Sequence, residues 1–169
     1  MDYTLILLRL LHIVAAFAWV GAGTSIAFFI MPSARAAGEN GLRYLNTLLR
    51  HTAITRVFRI SAGLTMLAGI LLFGLSDVRN HFSTTCNAVL GLGALAGILS
   101  GIHWGAFTGR ALRSLEAILW EKIPSGNQAM PADDLLALRE QTTKVVARAR
   151  VSVVLTIIAL LGMASARYL

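Results

Sequence analysis

Residues 93–109, GALAGILSGIHWGAFTG, run without a single lysine, arginine, aspartate or glutamate. All but the last of them belong to an apolar stretch, 87–108. This stretch is long enough to cross the ~30 Å apolar core of a bilayer as a helix of about 20 residues. Three further stretches share this property: 4–30, 57–76 and 149–168. The sequence therefore predicts an all-α integral membrane protein, a four-helix transmembrane bundle that forms one domain over residues 1–169.

The composition agrees with this class. Of the 169 residues, 56% are hydrophobic and only 14% are charged, which is too apolar for a domain whose whole surface faces water. The one cysteine, Cys86, excludes an internal disulfide framework and any CxxC motif. The net charge of +7 does not indicate a nucleic-acid partner, because in a membrane chain the positions of the basic residues matter more than their sum. We expect contact with membrane lipid and no nucleic acid.

The basic residues predict the orientation. Five of them lie between the first and second spans and seven lie between the third and fourth, so 12 of the 15 are on one side. By the positive-inside rule that side is cytoplasmic. The sequence thus predicts a multi-pass protein of the bacterial inner membrane with both termini periplasmic.

The two cytoplasmic connections are predicted to be helical. Residues 109–148 form a hairpin that is broken at IPSGNQAMP (123–131), and its second helix begins near Pro131 and continues into span four. We expect Leu135, Leu136 and Leu138 to pack this hairpin together. The stretch RYLNTLLRHTAITRVFR (43–59) is predicted to extend the second helix out of the membrane.

Glycine recurs at every fourth position of the third span. Such a small-xxx-small pattern favours close helix packing, and a flat groove for a planar ligand such as a porphyrin or a quinone is the alternative. At 100° per residue, His103 lies about 200° from both Gly101 and Gly105. Either the stripe faces the bundle and His103 faces a neighbour, a ligand or lipid, or His103 faces inward and the stripe receives a partner helix. The five stripe residues are Gly93, Gly97, Gly101, Gly105 and Gly109.

The first span carries a second candidate site. Arg9, His12 and Trp19 fall on one helical face by steps of three and four residues. An ionisable residue inside a span is costly and indicates a functional site. The alternative is a neutral His12 that is hydrogen-bonded to a carbonyl or to a serine such as Ser165.

Two histidines on different helices can hold one haem iron from opposite sides, if they converge on one point. His12 and His103 differ in predicted depth by ~10 Å, and His51 is closer in depth to His103.

No aspartate or glutamate falls inside a span, so a proton relay has no obvious carriers. Met31, Met66 and Met163 lie in or beside different spans, and we expect them to fill the core.

Three segments carry a family resemblance: LRLLHIVAAFAWVG (8–21), RVFRISAGLTMLAGILLFG (56–74) and IHWGAFTGRALRSL (102–115). They resemble three of the four spans in the bacterial superfamily that contains the J-type protoporphyrinogen oxidases and the CopD-like membrane domains. The resemblance implies a b-type haem or another tetrapyrrole near His12 or His103. The chain departs from the oxidase pattern at Ala62, where that pattern tends to have proline, and in its ending GMASARYL, which is more like the CopD-like proteins. We therefore carry over the fold and haem binding, but not the reaction.

The leading hypothesis is a small haem-associated redox membrane protein. His12 and His103 are its candidate iron ligands, and Arg9 or Arg110 its candidate partners for the haem propionates. The second hypothesis is a non-catalytic accessory subunit of a larger bioenergetic complex, which docks a partner helix or pigment, from another subunit or a second copy, on the glycine stripe. The third is copper or small-solute transport.

Overall fold

The computed structural model describes residues 3–75, 84–123 and 128–169, and every regular element in these ranges is helical. The predicted loop after span two and part of the break in the 109–148 hairpin lie outside the described residues. The helices, in chain order, are α1 (Tyr3–Thr24), α2 (Met31–Ala36), α3 (Gly38–His51), α4 (Ile54–Leu75), α5 (Thr85–His103), α6 (Gly109–Lys122) and α7 (Ala132–Ser165).

Four continuous helical stretches are long and apolar enough to cross a membrane. They are Tyr3–Ala36, Ile54–Leu75, Thr85–Lys122 and Ala132–Ser165, and each contains one predicted span or nearly all of it. Large apolar side chains such as Phe17, at 82% exposure, cover their outer surfaces. Because water would not solvate such a surface, the all-α membrane bundle predicted from the sequence is confirmed.

The four spans pack as two close pairs. α1 lies along α4, and α5 lies along α7, whereas contacts between the two pairs are far fewer. The bundle has a terminal end, at which α1 begins and α7 ends, and an extension end, formed by α2, α3, α6 and the start of α7. The pairs are joined most firmly at the extension end, where the largest apolar core lies. Its fully buried side chains include Met31, Leu42, Leu45, Leu115, Leu119 and Leu138.

Two predictions for the extensions are wrong in detail. Residues 43–59 do not continue the second span as one helix, because α3 ends at His51 and Thr52 adopts an extended conformation. The Thr52 hydroxyl donates to the Leu48 carbonyl and accepts from the Ile54 backbone N–H, so it closes one helix and opens the next. Leu136 is 62% exposed, since it lies about 200° around α7 from the buried Leu138.

Two spans contain a π-helical turn, at Ser25–Ile30 between α1 and α2 and at Trp104–Thr108 between α5 and α6. Each turn accommodates one residue more than an α-helix would, which shifts the register of all that follows. Beside these turns, the buried Trp104 ring lies 4.6 Å from the Phe58 ring, centroid to centroid. Trp19 belongs to the same small core. This aromatic cluster joins the two helix pairs midway along the bundle.

Candidate functional site

A cavity of about 440 Å³ lies between the two helix pairs, in the terminal half of the bundle. Its volume falls in the ~300–1,000 Å³ range of small-molecule sites. Its walls are mostly apolar, and Trp19 from the aromatic cluster contributes to them. Three lining residues are more than half exposed on the bundle surface: Ile13, Ile70 and Leu160. The cavity is therefore open towards the surface that the apolar helices present to lipid.

The one titratable side chain among the lining residues is His12. Its Nδ1 lies 2.9 Å from the backbone carbonyl oxygen of Thr65 on α4. A carbonyl only accepts hydrogen bonds, so Nδ1 must carry the proton that it donates. In the neutral imidazole the lone pair is then on Nε2, which has no hydrogen-bond partner among the described residues. The alternative to a functional site that was considered from the sequence, a His12 hydrogen-bonded to a carbonyl, is thus what the structure contains.

Glycine makes room for this imidazole. A Cβ at Gly69, one turn after Thr65, would lie 2.9 Å from Cε1 of His12 and 3.2 Å from its Nδ1. Only a residue without a side chain leaves the ring close enough to α4 to reach the Thr65 carbonyl. Thr65 and Gly69 together form a seat for the His12 ring.

Two methionines line the same cavity. A Cβ at Gly101 would lie 2.6 Å from the sulfur of Met66, and a Cβ at Gly97 would lie 3.5 Å from the methyl carbon of Met163. Consecutive glycines of α5 therefore accept methionines from α4 and from α7. Both methionines, which the sequence assigns to core filling, are thus wall residues of the cavity that His12 also lines.

The glycines of the third span do not share one face. A four-residue step advances a helix by about 400°, so the row drifts by about 40° at each glycine. Gly93 packs against the α7 backbone at Gly162 and Met163, and Gly101 packs against Met66 of α4. At Gly105 an added Cβ would meet nothing within 4 Å. At Gly109 it would meet only groups of its own helix and the π turn before it. Along α5 the glycines therefore lie first at the α7 interface, then at the α4 interface, and at Gly105 in open space.

His103 lies in a polar seam between α5 and α7, which adjoins the cavity at Thr156. Its Nδ1 is 2.7 Å from the Ser152 hydroxyl, which is also 3.2 Å from the Thr108 hydroxyl. Ser100 donates to the Ser152 carbonyl, 2.9 Å away, and lies 2.6 Å from the Thr156 hydroxyl. Both His103 and Gly93 therefore face α7, so the two orientations left open by the sequence are not exclusive.

The structure does not bring the remaining candidate residues to the cavity. Arg9 is exposed on α1, one turn from His12 towards the terminal end. His51 and Arg110 are exposed on the extension side, and neither they nor His103 lines the cavity. His12 lines the cavity, whereas His103 does not and bonds to Ser152, so the structure does not bring the two to one site.

Sequence reasoning missed Thr65, Gly69, Met66 and Met163 as parts of this site. A signal for the first two does exist, because Thr65 and Gly69 are four residues apart and so share one face of α4. Nothing in the sequence pairs that face with His12.

Comparisons of the chain with protein families, curated proteins and solved structures find no match.

Proposed function

We propose that this protein is a small haem-associated redox membrane protein in which His12 would hold the iron of a b-type haem. The proposal rests on one observation, the Nδ1–H of His12 donated to the Thr65 carbonyl. Histidines that bind metals almost always donate their other ring N–H in this way, because it fixes the tautomer and the ring orientation. A lone pair on Nε2 at the wall of an apolar cavity is what an axial ligand needs.

The other lining residues suit the same group. Apolar walls favour a porphyrin ring, and the thioethers of Met66 and Met163 are chemically capable of a second axial position. When bound, a haem with such ligands supplies one-electron redox chemistry. Arg9 does not line the cavity, but it lies one turn from His12 towards the terminal end. It is a candidate partner for a haem propionate there.

The roles of the chain's own residues follow from their positions. The Thr65 carbonyl orients the imidazole and raises its basicity as a ligand. Gly69 allows the ring to approach α4, and Trp19 is a large apolar surface on the cavity wall. His103 belongs to the α5–α7 seam, so the proposal gives it no place on the iron.

The membrane and orientation are part of the proposal. The charge bias between the two ends supports an inner-membrane location in a bacterium, with the terminal end periplasmic and the extension end cytoplasmic. The cavity would then lie in the periplasmic half of the bilayer.

Absorption spectroscopy of the purified full-length chain tests the proposal. We expect a Soret band, either as isolated or after haem is added to the detergent-solubilised protein. The His12→Gly variant should lose the band, and added imidazole should restore it, whereas His103→Ala should keep it. Absence of a Soret band from the wild type after haem supplementation would refute haem binding.

A second candidate function is copper(I) binding, which is narrower than the copper or small-solute transport considered from the sequence. It is favoured because one histidine and two methionines line the same cavity, and soft ligands select Cu(I). Competition for Cu(I) with a coloured chelator measures it directly. A double variant, Met66→Leu with Met163→Leu, should abolish this binding, and no copper retention by the wild type would exclude it.

A further inference from the structure

A second cavity, of about 520 Å³, lies at the extension end. It is formed where α3 ends, α4 begins and α6 passes by, and it shares no lining residue with the cavity at His12. Its chemistry is also different, because charged side chains of three helices line it. They are Arg50, Arg56, Arg59 and Glu116.

The cavity carries an excess of positive charge. Three guanidinium groups face one carboxylate, and the closest pair, Arg59 and Glu116, is a loose one with 3.8 Å between nitrogen and oxygen. Arg56 has no carboxylate partner among the described residues. The three arginines are exposed, but like charges around one cavity still repel each other, and a bound anion would relieve that repulsion. The cavity therefore has the electrostatics of an anion site.

Its donors are arranged for a phosphate group. The Arg50 guanidinium lies 3.3 Å from the centre of the Trp120 ring, stacked on its face, which leaves the N–H edges available for bidentate contact. Thr55 also lines the cavity, and its hydroxyl oxygen, which is buried behind the cavity surface, has no hydrogen-bond partner among the described residues. A buried hydroxyl without a partner is uncommon in proteins and indicates a missing ligand or water. Guanidinium edges and hydroxyls are the groups that bind phosphate oxygens.

The position of the cavity indicates a membrane interface. It opens at the first two turns of α4, where the apolar span begins, and Ile60 belongs to its lining. Trp120 is 68% exposed beside it, and exposed tryptophans are typical of the headgroup level. Basic pockets between spans at this depth are suited to anionic headgroups.

From these observations we infer that the extension-end cavity binds the phosphate group of an anionic ligand, through Arg50, Arg56 and Arg59. The same chemistry serves a phosphatidylglycerol headgroup and a soluble phosphate ester. The site is independent of the cavity at His12, and its test does not require haem.

Native mass spectrometry of the full-length chain, released from nanodiscs of equal parts phosphatidylglycerol and phosphatidylcholine, tests the lipid source. A second arm titrates glycerol 3-phosphate and inorganic phosphate in neutral detergent and follows thermal unfolding. The test variant is Arg56→Gln with Arg59→Gln. A matched control, Arg35→Gln with Arg113→Gln, removes two exposed charges from the extension side but outside the cavity.

Selective retention of phosphatidylglycerol, reduced at least about tenfold in the test variant and unchanged in the control, would support a lipid ligand. Thermal stabilisation by the phosphate compounds with the same dependence on the variants would support a soluble one. The inference is overturned if the wild type shows neither effect, or if the control variant loses as much binding as the test variant. Because the wild-type measurement decides by itself, poor folding of a variant does not leave the result open.

Discussion

Gly93 of α5 and Gly162 of α7 bring two helix backbones into contact. A Cβ added at Gly162 would lie 3.0 Å from the Cα of Gly93, and one added at Gly93 would lie 2.9 Å from the backbone nitrogen of Met163. This contact sets the spacing of the α5–α7 pair at the terminal end. Lipid supplies little hydrophobic drive for helix association, so such close backbone packing carries much of the stability.

Gly93→Ala is therefore expected to destabilise the protein by about 1–3 kcal/mol, because the added methyl group meets backbone that cannot move aside cheaply. Reversible unfolding in mixed detergent, followed by tryptophan fluorescence, measures the change. Gly105→Ala is the control, since its methyl group would enter open space. Equal stability of the two variants would contradict the packing described for Gly93.

Gly69→Ala is expected to displace the His12 ring from the Thr65 carbonyl, because its Cβ would lie 2.9 Å from Cε1 of that ring. If His12 is a haem ligand, loss of this orienting bond should weaken haem binding by about 10–100-fold. Titration of the purified apoprotein with haem measures the effect. Gly63→Ala, at an open position of the same helix, should bind haem as the wild type does.

Ser152→Ala removes the hydroxyl that His103 and Thr108 share. Hydrogen bonds between membrane helices contribute about 0.6 kcal/mol on average and up to about 1.7 kcal/mol, so we expect a loss of about 0.5–2 kcal/mol. The unfolding assay used for Gly93 applies here too. Ser165→Ala should change stability little, because this exposed hydroxyl bonds only to carbonyls of its own helix. A neutral Ser152→Ala would show that the polar seam adds no stability.

The Glu39 carboxylate ties α3 to the segment before α7. It accepts hydrogen bonds from the Arg43 side chain and from the Met130 backbone N–H, and these lower its pKa below the ordinary 4.5. A lowered folded-state pKa means that the stabilisation is complete above about pH 4.5 and is lost as the pH falls through the lower, folded value. Thermal unfolding of the wild type should therefore show this contribution in full above about pH 4.5 and its loss only at lower pH. A Glu39→Gln variant with the same acid-side slope would argue against the assignment.

Orientation in the membrane is testable with single cysteines in a Cys86→Ala background. Ser114 and Thr84 are both exposed, and they lie on the extension side and at the terminal end. In intact spheroplasts a membrane-impermeant thiol reagent should label Thr84→Cys at once and Ser114→Cys only after permeabilisation. The reverse pattern would place the extension end outside the cell.

Much of the fold could be predicted because it depends on length and apolarity. The four spans, and the hairpin that begins its second helix next to Pro131, follow from residues adjacent in sequence. The pairing of helices does not, since it depends on contacts such as His12 with Thr65, 53 residues away. The break at Thr52 was also missed, because a threonine in a helical pattern gives no sign that its hydroxyl will close one helix and open another.

The candidate site was predicted in part. An ionisable residue within a span pointed to His12, but Met66 and Met163 stand in different spans and only packing brings them to one cavity. The glycine row was read as one stripe, although its 40° drift per step distributes it over two interfaces. Whether His12 holds a cofactor stays a prediction.

The π turn at Trp104–Thr108 has a consequence for deletions in this chain. It holds one residue more than an α-helix of the same height, so a single-residue deletion there would restore regular winding. α6 would then keep its orientation about its axis relative to α5, and the buried Leu115 and Leu119 would still face the extension-end core. A single-residue deletion in the regular part of α5 would instead rotate everything that follows by about 100°. The π turn is therefore the place where the third span can be shortened by one residue.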